Sequence, residues 1–293
     1  MSNMYRPKLI LLVGPPGCGK STYAKKYIAE HNNTTHLSSD EIRAELYGDA
    51  AIQTDPGRVF ELMQSRAVEA LNNGLNVVYD ATNMTRKDRS GIIVACPKFV
   101  KIEARVIWAP IGTCIERDAT RRRTVGKDVI DKMLKRFQAP YYDEGIDEIE
   151  IIWPDNFDRH VYTKAIREGM NIPHDNPHHT LGVRDHCAAA AGYALDNNYD
   201  SNVLKAALYH DVGKPYVKAF VDAKGNPCEH AHYYQHHCLS SWMYYGVYDK
   251  DPEIAWLIST HMDPFFNTKY YQKLPAYLKD KLDKLHKCDL EAH

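Results

Sequence analysis

Short apolar runs alternate with longer, polar-faced segments through the first half of the chain. The apolar runs fall at residues 9–13 (LILLV), 76–80 (NVVYD), 104–109 (ARVIWA) and 149–153 (IEIIW). Buried parallel strands form continuous apolar runs, and the segments between these runs suit crossover helices. The pattern predicts an α/β domain over residues 1–154, with a parallel sheet and flanking helices.

The second half of the chain has a different periodicity. It lacks such strands and offers helix-like segments at 183–197, 201–210, 236–246, 252–261 and 275–292. This pattern predicts an all-α domain over residues 160–293. The stretch WPDNFDR, residues 153–159, is the predicted hinge between the two domains.

Composition bears on the environment and the partners of the protein. The chain has 293 residues, with 37 Lys and Arg against 38 Asp and Glu. Its net charge is therefore close to zero, and no overall positive charge indicates that it binds nucleic acid. Its seven cysteines are scattered, odd in number and without a C-x-x-C pair, which favours reduced thiols in the cytoplasm. The first residues carry no signal-like apolar segment and no apolar run could span a bilayer, so we expect a cytoplasmic protein without a membrane partner.

The first strand leads into a phosphate-binding motif. The sequence GPPGCGKST fits G-x-x-x-x-G-K-[ST] between an apolar run and a helix start, so it predicts a nucleoside triphosphate site. Lys20 would reach the β- and γ-phosphates, and the Ser21 hydroxyl would bind Mg²⁺. The residues expected to hold the nucleotide are Gly14, Gly17, Cys18, Gly19, Lys20, Ser21 and Thr22.

The segment SSDEIRAELYGD, residues 38–49, comes where a second strand should end. Ser39 and Asp40 are compatible with a simple helix cap. They also fall at the carboxyl edge of the sheet, where a carboxylate can accept the proton of an acceptor hydroxyl. Arg43, one turn later, would then hold an anionic acceptor.

A basic segment, residues 114–137 (CIERDATRRRTVGKDVIDKMLKRF), is here called the lid segment. Arg117, Arg121, Arg122 and Arg123 crowd together in it, and the first two are spaced to share one helical face. The segment is either a solvated basic helix or a lid that closes over the triphosphate and neutralises its charge during transfer.

These motifs together resemble the 5′-hydroxyl polynucleotide kinases of nucleic-acid repair, from residue 8 to about residue 150. That family pairs a P-loop with D-x-x-R, a strand ending in T-N and an R-x-x-x-R lid. The resemblance implies that Asp40 is the general base and that Arg121 and Arg117 contact the donor phosphates. It also implies that Arg43, Thr82 and Asn83 lie at the acceptor site. The chain departs from the pattern where Asp80 stands two residues before Thr82 and where Gly126 replaces a proline after the lid.

Histidine is concentrated in the second half, where thirteen of the fifteen histidines lie from His160 onward. One set combines histidines and carboxylates on several predicted helices: His186, His210, Asp211, His236, His237, His261 and Asp289. Imidazole and carboxylate suit Mn, Fe, Co, Ni or Zn rather than a soft thiolate site. Single histidines of this kind are often structural, but an adjacent His-Asp pair flanked in this way favours a metal site.

The pattern H…HD…H…H…D resembles the HD-domain phosphohydrolases across most of residues 175–293. The resemblance implies that His186, His210, Asp211 and Asp289 form a core metal set in which Asp211 bridges two ions. His236 and His261 would complete a second site. His236 is preferred to His237 because the small pair Ser240-Ser241 then follows at the family's spacing. Lys214, or less favourably His179, would bind a substrate phosphate.

The two halves together predict a bifunctional enzyme that heals nucleic-acid ends. It would transfer an NTP γ-phosphate to a 5′-OH end and hydrolyse a 2′,3′-cyclic, 2′- or 3′-phosphate at the other end, before a separate ligase acts. One alternative is a small-molecule kinase fused to a nucleotide phosphohydrolase. Another is a nucleotide sensor whose HD half is not catalytic. The sequence leaves open the donor, the choice of RNA or DNA, the metals and the oligomeric state.

Overall fold

The computed structural model describes residues 6–121, 123–177, 180–247 and 250–292. The chain forms two compact units. The first unit runs up to Met133 and includes Pro140–Asp155, and the second comprises Leu134–Ala139 and the chain from Asn156 onward. Within the second unit, the ring of Phe137 packs edge-on against Trp242 at a centroid distance of 5.2 Å. No sequence pattern predicts that residues 134–139 belong to the second unit.

The first unit is built on a five-stranded sheet whose strands are all parallel, in the order β2-β3-β1-β4-β5. The strands are β1 Lys8–Val13, β2 Thr34–Ser38, β3 Asn76–Asp80, β4 Lys101–Ile107 and β5 Glu148–Ile152. The helices are α1 Lys20–Glu30, α2 Ser39–Tyr47, α3 Pro56–Asn72, α4 Arg86–Ala95, α5 Ile111–Ala119 and α6 Lys127–Leu134, with a 3-10 turn at Tyr142–Glu144. The predicted parallel α/β fold of this half is confirmed.

The position of β1 explains why its sequence is apolar throughout. Residues 9–13 are fully buried because β1 lies between β3 and β4 and is covered on both faces. On one face, α3 contributes Val59, Met63, Ala67 and Leu71, which recur at helical spacing and join the same core cluster. The loop after β1 therefore opens at the centre of the sheet's carboxyl edge, where α/β folds bind ligands.

The second unit consists mainly of helices. They are α7 Arg159–Gly169, α8 Val183–Asp196, α9 Ser201–Tyr209, α10 Lys214–Val217, α11 His236–Tyr244, α12 Pro252–Thr260, α13 Asp263–Phe266, α14 Thr268–Lys273 and α15 Ala276–Leu290. The five segments predicted to be helical correspond to α8, α9, α11, α12 and α15. No helix in the described ranges is long and apolar enough to cross a membrane.

The expectation of an all-α second half is wrong in one segment. Strands β6, Ala219–Val221, and β7, Pro227–His232, form an antiparallel hairpin. Its turn is stabilised by Asp222, whose carboxylate accepts bonds from the backbone of Lys224 and Asn226 at 2.8 Å each. Gly225 supplies the positive φ of 87° that the turn needs. Strand β6 has only three residues and β7 is mostly polar, so neither gives an alternating pattern in the sequence.

Candidate functional site

The loop from Gly14 to Gly19 joins β1 to α1 and forms a phosphate-sized cradle. Gly14, Gly17 and Gly19 all have positive φ values, which side chains disfavour. A Cβ on Gly17 would overlap the Cys114 carbonyl, so this position also has no space for a side chain. The Lys20 ammonium donates to the Gly14 and Pro15 carbonyls at 2.8 and 2.9 Å. It therefore lies on the loop, within reach of any anion that the loop binds.

A serine and an aspartate lie together at the end of this loop. The Ser21 hydroxyl donates to Asp80 Oδ2 at 3.1 Å, and His36 Nε2 lies 3.2 Å from the same oxygen. Asp80 is buried at the end of β3, which pairs with β1. Hydroxyl and carboxylate oxygens are the ligands that Mg²⁺ prefers. No role for Asp80 was predicted, although a carboxylate that ends the strand next to the P-loop strand is a usable sequence signal.

A cavity of about 790 Å³ opens beside the loop, within the size range of ligand sites. It is lined by Thr22 and Lys26 of α1, by Trp153 after β5 and by both lid arginines predicted to contact the donor, Arg117 and Arg121.

The local path of the lid segment differs from the expectation of one continuous helical face. Helix α5 ends at Ala119, so Arg121 lies in the following turn, where its N–H donates to the Asp118 carbonyl. Asp118 Oδ2 accepts bonds from the backbone N–H groups of Val125 and Gly126 at 3.0 Å, which closes the loop before α6. Arg117 and Arg121 nevertheless line the same cavity. Arg122 lies outside the described residues.

The helix-cap interpretation of Ser39 and Asp40 is wrong, because Ser38 is the residue that caps α2. Its hydroxyl accepts from Glu41 N, which leaves the Asp40 side chain without a capping role. That side chain is 64% exposed, and its Oδ1 accepts bonds from Arg43 Nη1 at 2.6 Å and Arg123 Nη1 at 3.2 Å. Arg43 is buried, and its Nε has no hydrogen-bond partner among the described residues. The result is a carboxylate held between two guanidinium groups.

Thr82 and Asn83 form hydrogen bonds with the P-loop and with the strand that precedes it. The Thr82 carbonyl accepts from Gly14 N at 3.0 Å. Asn83 is only 1% exposed, has a φ of 47° and donates through Nδ2 to the Leu12 carbonyl at 2.8 Å. These bonds fix the end of β3 against β1. They favour a positioning role for Asn83 over the acceptor contact that the sequence resemblance implies.

The second unit brings six predicted ligands into two overlapping groups, in each of which the potential ligand atoms lie within 4.8 Å of one another. The groups are His186, His210, Asp211 and Asp289, and Asp211, His236 and His261. Asp211 belongs to both. Its Oδ2 faces His210 Nε2 at 3.3 Å, whereas its Oδ1 faces His236 Nε2 at 3.1 Å. One carboxylate thus presents a separate oxygen to each group.

In all four histidines Nδ1 faces a backbone carbonyl, so Nε2 is the nitrogen that points into the cluster. The distances are 2.9 Å from His186 to Ala292 O, 2.7 Å from His210 to Ala207 O, 2.9 Å from His236 to Tyr233 O, and 2.8 Å from His261 to Ile258 O. These contacts require the proton on Nδ1, so the neutral form of each ring has its lone pair on Nε2. Metal-binding histidines are oriented in this way. The residues present therefore fit a metal.

Small residues allow the helices to bring these ligands together. A Cβ on Gly213 would lie 2.7 Å from the His236 carbonyl, so glycine lets the start of α11 approach Asp211. The Ser240 hydroxyl accepts from Gly213 N at 2.9 Å, and the Ser241 hydroxyl donates to the Ala255 carbonyl of α12 at 2.7 Å. The second bond ties α11 to the helix that precedes His261.

For His210 and Asp211, the charges of neighbouring groups outweigh the effect of burial on the pKa. Burial opposes ionisation of Asp211, but the neighbouring His210 and Lys214 hold the pKa of that carboxyl well below its usual range. Burial likewise lowers the pKa of His210, and the adjacent Asp211 reverses this effect, so the net pKa of His210 is raised. The pKa of His261 is lowered by burial and by the other imidazoles. A positive charge is thus already favoured between His210 and Asp211, where a cation would bind.

Lys214 lies beside the cluster, buried, with its ammonium 2.6 Å from Asp211 Oδ2 and 3.1 Å from His174 Nε2. Burial and Lys214 lower the pKa of His174 to about 4, so a neutral ring accepts from the lysine. His174 was not predicted, because a lone histidine before a predicted helix carries no pattern. His237 is adjacent to His236 but belongs to neither ligand group among the described residues. His179 lies outside the described residues.

Comparisons with known proteins bear on the first unit. A family model described as an AAA domain matches residues 9–140, somewhat less than half of the chain. A structure of a Pnkp1/Rnl/Hen1 RNA repair complex is 27% identical over 46% of this chain and 45% of that chain, with a TM-score of 0.42. A putative kinase from Chloroflexus aurantiacus is 14% identical over 57% of this chain and 97% of that chain, with a TM-score of 0.41.

A fungal RNA kinase is 15% identical over 51% of this chain and 40% of that chain, with a TM-score of 0.38. The match with the RNA repair complex spans less than half of the length of the matched chain. No curated protein matches the chain.

Proposed function

We propose that the protein is a bifunctional enzyme that heals the ends of broken nucleic acid. Its first unit transfers the γ-phosphate of a nucleoside triphosphate to a 5′-OH end, and its second unit hydrolyses a 2′,3′-cyclic, 2′- or 3′-phosphate on the opposite end. The observation that carries the proposal is the pair of oxygens that Asp211 presents to two histidine groups. The same chain also has a P-loop after β1 and, at the start of α2, the Asp40 carboxylate bonded by Arg43 and Arg123. A separate ligase would then seal the healed ends.

In the first unit the chain's own groups bind and orient the triphosphate. The N–H groups of the loop face the β- and γ-phosphates, and Lys20 exchanges the loop carbonyls for phosphate oxygens. Ser21 and Asp80 hold the Mg²⁺ that accompanies the nucleotide. Arg117 and Arg121 neutralise the charge that spreads over the transferred group, which is the main catalytic requirement of this reaction.

The acceptor lies on the Asp40 side of the loop. Asp40 accepts the proton of the 5′-OH. The hydroxyl oxygen forms a bond to the γ-phosphorus while the bond between the γ-phosphorus and the β–γ bridging oxygen breaks, which releases the nucleoside diphosphate. Arg43 and Arg123 then exchange their bonds with Asp40 for bonds with a phosphate of the acceptor strand. The buried Arg43 Nε, for which the described part of the chain offers no hydrogen-bond partner, supports this role because an arriving anion would satisfy it.

In the second unit, one divalent ion would be held by His186, His210, Asp289 and one oxygen of Asp211. A second ion would be held by His236, His261 and the other oxygen of Asp211. Such a pair supplies a hydroxide at neutral pH and binds phosphate oxygens. Lys214 keeps Asp211 ionised and is placed to donate to a phosphate oxygen. The Asp289 side chain is 24% exposed while Asp211 is buried, so we place the substrate entrance at Asp289.

One experiment tests both halves. A labelled RNA with a 5′-OH and a 2′,3′-cyclic phosphate is incubated with the purified protein, a nucleoside triphosphate, Mg²⁺ and Mn²⁺, and both ends are analysed. The proposal expects a new 5′-phosphate and a free 3′-OH. Inhibition of the kinase reaction by single-stranded oligonucleotides but not by nucleosides would support a polynucleotide acceptor. Inhibition by nucleosides but not by oligonucleotides would support the small-molecule alternative. A DNA strand with a 3′-phosphate, assayed in parallel, measures the preference between RNA and DNA.

A further inference from the structure

Two exposed aromatic side chains lie four and five residues after the metal-ligand candidate His261. Phe265 and Phe266 end the short helix α13 with exposures of 52% and 79%. Their ring centroids are 6.4 Å apart. Neither ring completes the core of the unit, so both present apolar faces to solvent. Large apolar side chains exposed side by side mark an interaction surface more often than isolated ones do.

The position of Phe265 ties this surface to the metal cluster. Its ring contacts the His286 ring edge-on at a centroid distance of 4.6 Å. His286 lies on α15, three residues before Asp289, so the two side chains occupy adjacent turns of one helix face. The aromatic pair is therefore linked to the cluster at both ends, through His261 along the chain and through Asp289 across α15. Asp289 is also where the cluster is most open.

Positive charge accompanies the aromatic pair. Lys269 and Lys273 lie four residues apart on α14 and are exposed, and within the described ranges neither forms an ion pair. From residue 262 to residue 279 the chain carries three lysines and a single acidic residue, Asp263, which is buried. An aromatic pair beside unpaired lysines complements a single strand, whose bases stack on rings while its phosphates attract cations.

We propose that Phe265, Phe266, Lys269 and Lys273 form a stacking platform for a single-stranded polynucleotide whose phosphorylated end enters the metal cluster at Asp289. The inference rests on the proposed phosphohydrolase and names the substrate class of that site. Phe266, the more exposed ring, stacks on a base near the end, while Phe265 is held by His286. The two lysines bind the phosphates that follow. A free nucleotide has too few phosphates and bases to use the whole platform.

The test measures binding of a fluorescent single-stranded oligoribonucleotide with a 3′-phosphate to the full chain, by anisotropy. Phe266→Ala is expected to weaken binding about 5- to 100-fold, the usual worth of one stacked base, and Phe266→Trp to retain it. Leu195→Ala removes a comparably exposed apolar side chain of the same unit and serves as the control. The double variant Lys269→Glu, Lys273→Glu is expected to reduce the salt dependence of binding by about 0.7 in log–log slope per lost phosphate contact. Lys224→Glu is its control.

Kinetics separate this platform from the proposed activity. In Phe266→Ala the ratio of kcat/KM for the oligonucleotide to kcat/KM for p-nitrophenyl phosphate should fall by the same factor as the affinity. If Phe266→Ala and Leu195→Ala lost affinity for the oligonucleotide equally, the platform would be overturned. It would also be overturned if Phe266→Ala bound the strand normally but changed from dimer to monomer in sedimentation, because the surface would then join two copies. A wild-type protein that hydrolyses neither substrate would refute the phosphohydrolase, and the anisotropy comparison would still decide the platform.

Discussion

The Nε2 atoms of His236 and His261 lie 3.3 Å apart, while the Nδ1 atom of each ring faces a backbone carbonyl. Since the Nδ1 protons are used in those contacts, two neutral rings point lone pairs at each other. Such a contact between two acceptors is unfavourable unless a proton or a metal ion lies between them. The lowered pKa of His261, caused by burial and the neighbouring imidazoles, disfavours the proton. We propose that a metal ion lies between the two Nε2 atoms, which belong to one of the two ligand groups.

We therefore expect purified protein to contain divalent transition metal and to lose phosphohydrolase activity on chelation. Mn²⁺, Co²⁺ or Ni²⁺ should restore the activity. His236→Ala should lower the metal content by removing a ligand of one ion, and Asp211→Ala should remove both ions because its carboxylate faces both groups. His237→Ala is the matched control, since this neighbouring histidine belongs to neither group among the described residues. Elemental analysis decides the point, and metal retained in Asp211→Ala would refute the shared carboxylate.

The same geometry predicts that metal stabilises the second unit. An ion that binds only the folded state raises its stability by about 2.7 kcal/mol at a free concentration one hundred times the Kd. Chelated wild-type protein should thus show a rise in Tm when Mn²⁺ or Zn²⁺ is added, and His261→Ala a smaller one. Ca²⁺, which prefers oxygen ligands, serves as the control ion. An equal rise with Ca²⁺ would indicate general ionic stabilisation rather than a histidine site.

The parallel sheet was predictable because its central strands are buried on both faces. Residues 9–13 and 76–80 are apolar enough to stand out, and the P-loop motif predicts a nucleotide site at the end of the first of them. The hairpin of β6 and β7 was not predictable, since its strands are short and only partly buried and do not alternate apolar with polar residues. Phe137 also gave no signal, because nothing in its own neighbourhood indicates a partner more than a hundred residues away in Trp242.

The candidate sites divide in the same way. Motif spacing grouped His186, His210, Asp211 and Asp289, and the structure brings these side chains together. The orientation of each imidazole depends on a carbonyl that the ring meets only in the folded chain, such as Ala292 O for His186. Spacing shows which residues share a site, but not the tautomers or the burial that determine their chemistry.

Asp80→Asn tests the Mg²⁺ position. The Asn amide oxygen still accepts the Ser21 hydroxyl but lacks the negative charge that attracts Mg²⁺. We expect the Mg²⁺ concentration needed for half-maximal kinase activity to rise about 10- to 100-fold. Binding of a fluorescent ATP analogue without Mg²⁺ should not weaken. Asp49→Asn, an exposed position in the same unit, is the control. An unchanged Mg²⁺ requirement would show that Asp80 only positions Ser21.

Asp40→Asn tests the general base. The variant should bind triphosphate normally and slow transfer to a 5′-OH oligonucleotide by about 10²- to 10⁴-fold, because the amide cannot accept the hydroxyl proton. Glu41→Gln, the next residue on the same exposed turn, controls for loss of one negative charge. Transfer at the wild-type rate by Asp40→Asn would mean that the acceptor proton leaves by another route.

The independence of the two activities is the last prediction. None of the residues proposed for one site is shared with the other, so Lys20→Ala should abolish 5′-phosphorylation and leave hydrolysis at the 3′ end intact. Asp211→Ala should do the reverse. Both variants must be made in the full chain, because a second unit cut at Asn156 would lose Phe137 from beside Trp242.

A mixture of the two variants should heal both ends of one RNA, since the product of one molecule can diffuse to the other. Circular dichroism must first show that each variant keeps the wild-type helix content. Loss of both activities in a folded Lys20→Ala or Asp211→Ala protein would contradict independence. The chain passes from one unit to the other after Met133, Ala139 and Asp155, so these crossings would then be the first places to look for coupling. A Phe137→Ala variant, assayed for both reactions, would test the crossing that directly follows the lid segment.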